Sequence, residues 1–87
     1  MPKIVFSDRF KKNYKKNSHY KQQIDKTLRW LAEDPNHPSL RAKRVKGAKG
    51  VYEASVNMDI RITYERLEGN ILRLRVVRHH DDVLGNP

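Results

Sequence analysis

Residues 51–77 read VYEASVNMDIRITYERLEGNILRLRVV, and apolar side chains recur there at every second position. Alternation with a period of two marks strands with one buried face, because successive side chains leave a pleated backbone on opposite sides. Ile60, Ile62 and Tyr64 fall on one face, with Arg61, Thr63 and Glu65 on the other. Likewise Leu72, Leu74 and Val76 alternate with Arg73 and Arg75. Asn57-Met58-Asp59 and Leu67-Glu68-Gly69-Asn70 supply turn formers between the runs, so three strands are expected as an antiparallel meander with one wet side.

Upstream the period changes. KIVF (3–6) is short and β-branched, and Ser7-Asp8 behind it is a helix cap, which predicts a strand leading into a helix. Phe10 and Tyr14 are four apart among Lys11, Lys12, Lys15 and Lys16, giving a narrow apolar stripe on a basic helix. Asn17-Ser18 interrupts that pattern. A second helix is predicted from Tyr20 to about Glu33, where Tyr20, Ile24, Leu28 and Leu31 share a face until Pro35 ends it. Residues 34–50, DPNHPSLRAKRVKGAKG, hold two prolines, two glycines and five basic residues, which reads as a basic connecting loop. The expected fold class is α+β: an N-terminal strand, a two-helix hairpin, then a three-stranded meander, forming one sheet packed on the helices. At 87 residues this makes a single domain, 1–87, with one small core.

Composition narrows the chemistry. The chain has no cysteine, which excludes a disulfide framework, a thiolate metal site and a cysteine nucleophile, and suits a reducing cytoplasm. The start MPKIVFSDRF lacks a long apolar core and no run approaches membrane-spanning length, so a soluble cytoplasmic protein is expected. Charge is uneven: residues 1–50 carry 14 Lys/Arg against 4 Asp/Glu, whereas residues 51–87 carry 5 against 6. Such asymmetry points to a polyanion such as nucleic acid, since each phosphate contact releases counterions; solvated helix faces are the plainer alternative.

The order strand, helix, helix, basic loop, meander, with HPSLRAKRVKGAKGVYEASVNMDIRITYE and RHHDDVL, resembles the RelE/ParE superfamily of toxins from type II toxin–antitoxin modules. Lys46–Tyr52, the strand Ile60-Arg61-Ile62-Thr63-Tyr64 and the ending His80–Leu84 carry the likeness. The resemblance implies a toxin held inactive by a cognate antitoxin protein. In the RelE/YafQ-like branch, which these motifs favour, it implies a metal-independent endoribonuclease that needs no cofactor and cleaves messenger RNA, in association with the ribosome. The ParE-like branch instead inhibits DNA gyrase, and a catalytically degenerate RNA-binding homologue is a third reading. Fold alone does not choose among them.

Metal-free RNA cleavage uses the neighbouring 2′-oxygen as nucleophile, and so requires an acid/base group and a cation for the phosphate. By its match to the family's strand, Arg61 is the expected cation, since a guanidinium is always charged and grips phosphate bidentately. His80 is the expected proton-transfer group, by its match to the family's terminal histidine and by a pKa suited to neutral pH. Adjacent strand residues diverge, so His79 and His80 do not both enter one pocket. Asp59 matches an aspartate at the turn entering the arginine strand, as a second proton-transfer group or as an ordinary turn residue. Lys43, Arg44, Lys46 and Lys49 are candidate backbone-phosphate contacts. Arg73 and Arg75 either extend that surface or are solvated or antitoxin-facing charges. The run His79-His80-Asp81-Asp82 is not read as a metal site, because consecutive residues rarely converge on one ion. The chain departs from the family in three places: Glu53 and Ser55 stand where relatives carry lysine or histidine, and Leu84 stands where an aromatic is usual.

Overall fold

The computed structural model describes residues 1–79. Strand β1 (Lys3–Phe6) leads into helix α1 (Asp8–Lys16), a short 3₁₀ turn (Ser18–Tyr20) and helix α2 (Lys21–Glu33). A second 3₁₀ turn (Pro38–Leu40) precedes β2 (Lys43–Arg44), β3 (Val51–Ser55), β4 (Ile60–Leu67) and β5 (Ile71–His79). The strands form one five-stranded sheet in the order β1-β5-β4-β3-β2. Neither helix is long and apolar enough to cross a membrane.

The expected α+β architecture and meander are present, with three corrections. First, residues 34–50 are more than a loop. Lys43 and Arg44 pair antiparallel with Glu53 and Tyr52, adding an edge strand to the sheet. Successive turns close this hairpin, with Val45 N–H bonded to the Val51 carbonyl and Val51 N–H to the Ala48 carbonyl. Gly47 and Gly50, at φ of 84° and 76°, supply the left-handed positions those turns require. A two-residue strand carries no readable alternation, so glycine and lysine content conceals it.

Second, β5 contains a bulge. Thr63 pairs with Val76 but Tyr64 pairs with Leu74, leaving Arg75 as the extra residue. Leu72 and Leu74 face the helices as expected, but beyond the bulge Val77, rather than Val76, joins the core cluster. The backbone groups exposed at this point are satisfied from α1. Ser7 Oγ donates to the Arg75 carbonyl at 3.0 Å and accepts from Phe10 N–H at 3.1 Å, so one hydroxyl caps the helix and fixes the bulge. Asn13 Oδ1 accepts from Val77 N–H, where β1 has already ended.

Third, the sheet face turned away from the helices is not wet at its centre. Glu53, Thr63 and Val76 form one row across β3, β4 and β5, and all are buried. Arg78 lies over that row, as described below. On the helix side, Phe10 of α1 and Ile24, Thr27 and Leu31 of α2 are buried, with Ile60, Ile62, Tyr64 and Leu74 of the sheet buried opposite the apolar stripes. Tyr14 Oη donates to Asp25 Oδ1 at 2.6 Å and ties the helices together.

Candidate active-site cleft

Arg61 sits at the start of β4, opposite Ser55 on β3 and Arg78 on β5. Ile60 and Ile62 are fully buried on the helix side, so alternation sends the intervening arginine to the other face, where it is half-buried. Asn57 builds its setting. The side-chain Oδ1 accepts from the N–H groups of Asp59 and Ile60, at 2.7 and 2.8 Å, and shapes the β3–β4 turn. The Asn57 backbone carbonyl accepts a hydrogen bond from Arg61 Nη1, which also reaches the Ile60 carbonyl at 3.1 Å. Asn57 Nδ2 is bonded to Gln23 Oε1, anchoring the turn to α2.

A hollow of about 450 Å³ opens at this end of the sheet, lined by Ser39, Arg41, Ser55, Val56, Asn57, Met58 and Arg61. Two of its walls are guanidinium groups and none is a carboxylate. Among the described residues Arg61 forms no ion pair, so its charge is held by neutral backbone carbonyls and remains available to an anion.

Arg78 is the arginine that sequence parity missed. With the bulge in place it lies directly opposite Arg61, where two like charges oppose one another unless something compensates. The compensation is Glu53: Arg78 Nη2 reaches Glu53 Oε2 at 3.2 Å, crossing β4 to do so. Both side chains are about nine-tenths buried, and Lys43 Nζ meets the other Glu53 oxygen at 3.4 Å. The sequence offered one signal, an acidic residue at 53 within the first meander strand.

The other expected residues separate into groups. Asp59 is an exposed turn residue and does not line the hollow. His79 pairs with Ile60 and packs edge-on to Tyr20, with ring centroids 6.5 Å apart, which puts it on the helix side and away from Arg61. His80, together with Asp81, Asp82 and Leu84, lies outside the described residues. Arg73 and Arg75 do not join Arg61, because Glu65, four residues further along β4, pairs with both at 3.9 and 3.4 Å. Lys43 is committed to Glu53, while Lys46 and Lys49 are exposed on the β2–β3 turns. Arg44 instead lies against Tyr52, with Nε 3.4 Å from the phenol oxygen. No cluster of three or more His, Asp or Glu suited to a metal occurs among the described residues.

Tyr64 adds a buried titratable group on the helix side. Burial pushes its phenol pKa up, partly opposed by the nearby Arg66 guanidinium, which is close enough to attract a phenolate. No partner makes a well-formed hydrogen bond to its Oη among the described residues.

Comparison with known proteins bears on the fold. YafQ from E. coli strain BL21(DE3) superposes with a TM-score of 0.79 at 19% identity, over 98% of this chain and 100% of that one. A metal-bound toxin from Helicobacter pylori gives 0.77 at 24% identity, over 94% and 98%. The YoeB/ParE toxin from Agrobacterium tumefaciens gives 0.74 at 18%, over 90% and 98%. At these identities the likeness is one of fold. No curated protein sequence matches significantly. A family model described as the ParE toxin of type II toxin–antitoxin system, parDE, matches residues 4–84. With nearly the whole chain matched and the fold in agreement, the protein belongs to the ParE toxin family of type II toxin–antitoxin systems.

Proposed function

We propose that this toxin blocks translation by cleaving messenger RNA, in association with the ribosome, at the Arg61 cleft. The observation that carries the reading is a half-buried guanidinium lining a hollow, fixed by two backbone carbonyls and free of any carboxylate among the described residues. A cation held in place before substrate arrives stabilises the charge that develops on a pentacoordinate phosphate without reorganising. In the reaction a bond forms from the 2′-oxygen to phosphorus and the bond from phosphorus to the 5′-oxygen breaks, leaving a cyclic phosphate. One proton leaves the 2′-hydroxyl and another reaches the departing 5′-oxygen. Arg61 faces the non-bridging oxygens, and Arg41, which lines the same hollow, adds charge from its rim. His80 is the proton-transfer group in this scheme.

Replacing Arg61 with alanine should reduce cleavage by about 10²-fold or more, as loss of a transition-state charge stabiliser does elsewhere. The measurement is primer extension on message from cells expressing each variant, with circular dichroism to confirm folding. Cleavage by Arg61→Ala at the native rate would reject the assignment.

A cognate antitoxin is part of the same reading, supported by the DinJ–YafQ complex from E. coli, whose structure matches with a TM-score of 0.79. The ParE family match supports a second reading, inhibition of DNA gyrase. That reading requires trapped DNA breaks in a gyrase assay while message stays intact.

A further inference from the structure

A second hollow, of about 430 Å³, lies on the helix side of the β2 edge, lined in part by His37, Arg41, Lys43, Arg44, Tyr52 and Arg66. Four of these residues are cationic and none is acidic. The fold neutralises its other clustered strand arginines: Glu65 serves Arg73 and Arg75, and Glu53 serves Arg78 and also Lys43 at the rim of this hollow. Among the described residues, Arg41, Arg44 and Arg66 form no ion pair, although they share one concavity and repel each other there.

The side chains are also ordered for binding. Tyr52 stacks on buried Tyr64, with ring centroids 5.9 Å apart at an angle of 22°, a contact that restricts its ring. Arg66 sits 4.5 Å from the centre of the Tyr52 ring, and Arg44 sits 5.9 Å from it while reaching the phenol oxygen. A ring that attracts guanidinium groups through its π face limits their freedom, so less entropy is lost when they grip a ligand. His37 is likewise fixed, stacked at 3.7 Å on Trp30 with Nδ1 accepting from Ser39 N–H. Arg41 lines both this hollow and the Arg61 cleft. Its φ of 47° is a left-handed value rare for a side-chain-bearing residue.

We infer that the Arg44–Tyr52–Arg66 hollow is a second phosphodiester-binding site for single-stranded RNA, joined to the Arg61 cleft by Arg41. The inference rests on the reading of that cleft as an RNA site and adds the path the strand takes away from it. Guanidinium forks match phosphate oxygens bidentately, and a run of them around a sheet edge tracks a strand's backbone with no demand on base identity.

The test uses the intact protein and 2′-O-methylated RNA of about 12 nucleotides, within the span a compact domain covers on a single strand. Such RNA cannot supply the attacking hydroxyl, so binding is read apart from cleavage. Affinity is followed by fluorescence anisotropy across a potassium chloride series. Arg44→Gln with Arg66→Gln should lower the slope of log affinity against log salt by about 1.4, at about 0.7 for each lost single-strand phosphate contact. The charge-matched control, Lys12→Gln with Lys16→Gln on α1, should leave the slope near the native value. Equal losses in both double variants would overturn the site, as would no loss in the first. Tighter binding of a polyglutamate peptide than of RNA at this hollow, abolished by the same arginine variants, would assign it to an acidic protein and overturn it too. The expected slope loss in Arg44→Gln with Arg66→Gln, together with native cleavage by Arg61→Ala, would retain this site while rejecting the cleft's catalytic role.

Discussion

Arg78 reaches across β4 to Glu53, closing a buried ion pair at 3.2 Å over the face of the sheet that carries Arg61. One carboxylate thereby holds a cation beside the cleft and shields Thr63 beneath it. Removing one partner of a buried pair leaves the other charge uncompensated, which costs about 3–5 kcal/mol. Glu53→Ala should lose stability in that range, measured by urea unfolding, because Arg78 has two further guanidinium nitrogens without partners among the described residues. Arg78→Met should cost less, since exposed Lys43 still neutralises Glu53. The reverse ranking would show that the pair does not carry this face.

Asn57 combines two roles that substitution should separate. Its Oδ1 closes the β3–β4 turn, and its backbone carbonyl holds Arg61. Asn57→Ala deletes the acceptor of two N–H groups and the donor to Gln23, and should cost about 2–3 kcal/mol, at about 1 kcal/mol for each hydrogen bond. Asn57→Asp keeps the acceptor and the turn but places a carboxylate next to the Arg61 guanidinium. It also loses the Nδ2 donor to Gln23, so its thermal midpoint should fall less than that of Asn57→Ala, while RNA affinity falls most steeply at low salt where the added charge is least screened. Native RNA affinity in the aspartate variant would argue that phosphate does not bind at this end of the sheet.

The strand alternation in residues 60–67 revealed the meander and the exposed side of Arg61, because both follow from side-chain parity alone. Parity failed on β5. The inserted Arg75 changes which residues meet β4, so simple alternation does not reveal that Arg78 is the arginine opposite Arg61. The bulge has no local marker such as glycine; it is fixed by Ser7, whose hydroxyl arrives from 68 positions earlier in the chain. Strand β2 was hidden for a related reason, since Lys43 and Arg44 gain strand conformation only from pairing with Tyr52 and Glu53. Long-range contacts thus decided the parts of the site that local patterns did not reveal.

Ser7 is therefore expected to matter more than an ordinary helix cap. Ser7→Ala loses the acceptor for Phe10 N–H and the donor to the Arg75 carbonyl. The cap contributes about 1 kcal/mol and the second hydrogen bond about 1 kcal/mol more. Ser7→Asp keeps the cap acceptor but cannot donate as a carboxylate, so it should recover only part of the loss in chemical denaturation. Full recovery by aspartate would leave the bulge contact without energetic weight.

Tyr64 makes a prediction about alkaline pH whose sign follows from burial. Its phenol titrates above the ordinary value of 10.0, chiefly because burial disfavours the phenolate, with Arg66 opposing but not reversing the shift. The unfolded chain therefore ionises first. Stability from this group is complete below the unfolded pKa and is lost as pH rises from about 10 towards the folded value. Tyr64→Phe removes the titration and keeps the ring that stacks on Tyr52. It also removes a buried hydroxyl with no partner among the described residues, so at pH 7 the variant should be as stable as the native protein or more so, by about 1 kcal/mol. Urea unfolding at neutral pH and above pH 10 should show the gap in favour of phenylalanine widening with alkalinity. Tyr14→Phe provides the comparison, since that phenol is raised first by its hydrogen bond to Asp25, with burial and the nearby charge adding to it. Its variant should lose the Asp25 contact at neutral pH, where Tyr64→Phe loses nothing. An alkaline loss of equal size in the native and Tyr64→Phe proteins would mean that the Tyr64 phenol does not feel the core around it.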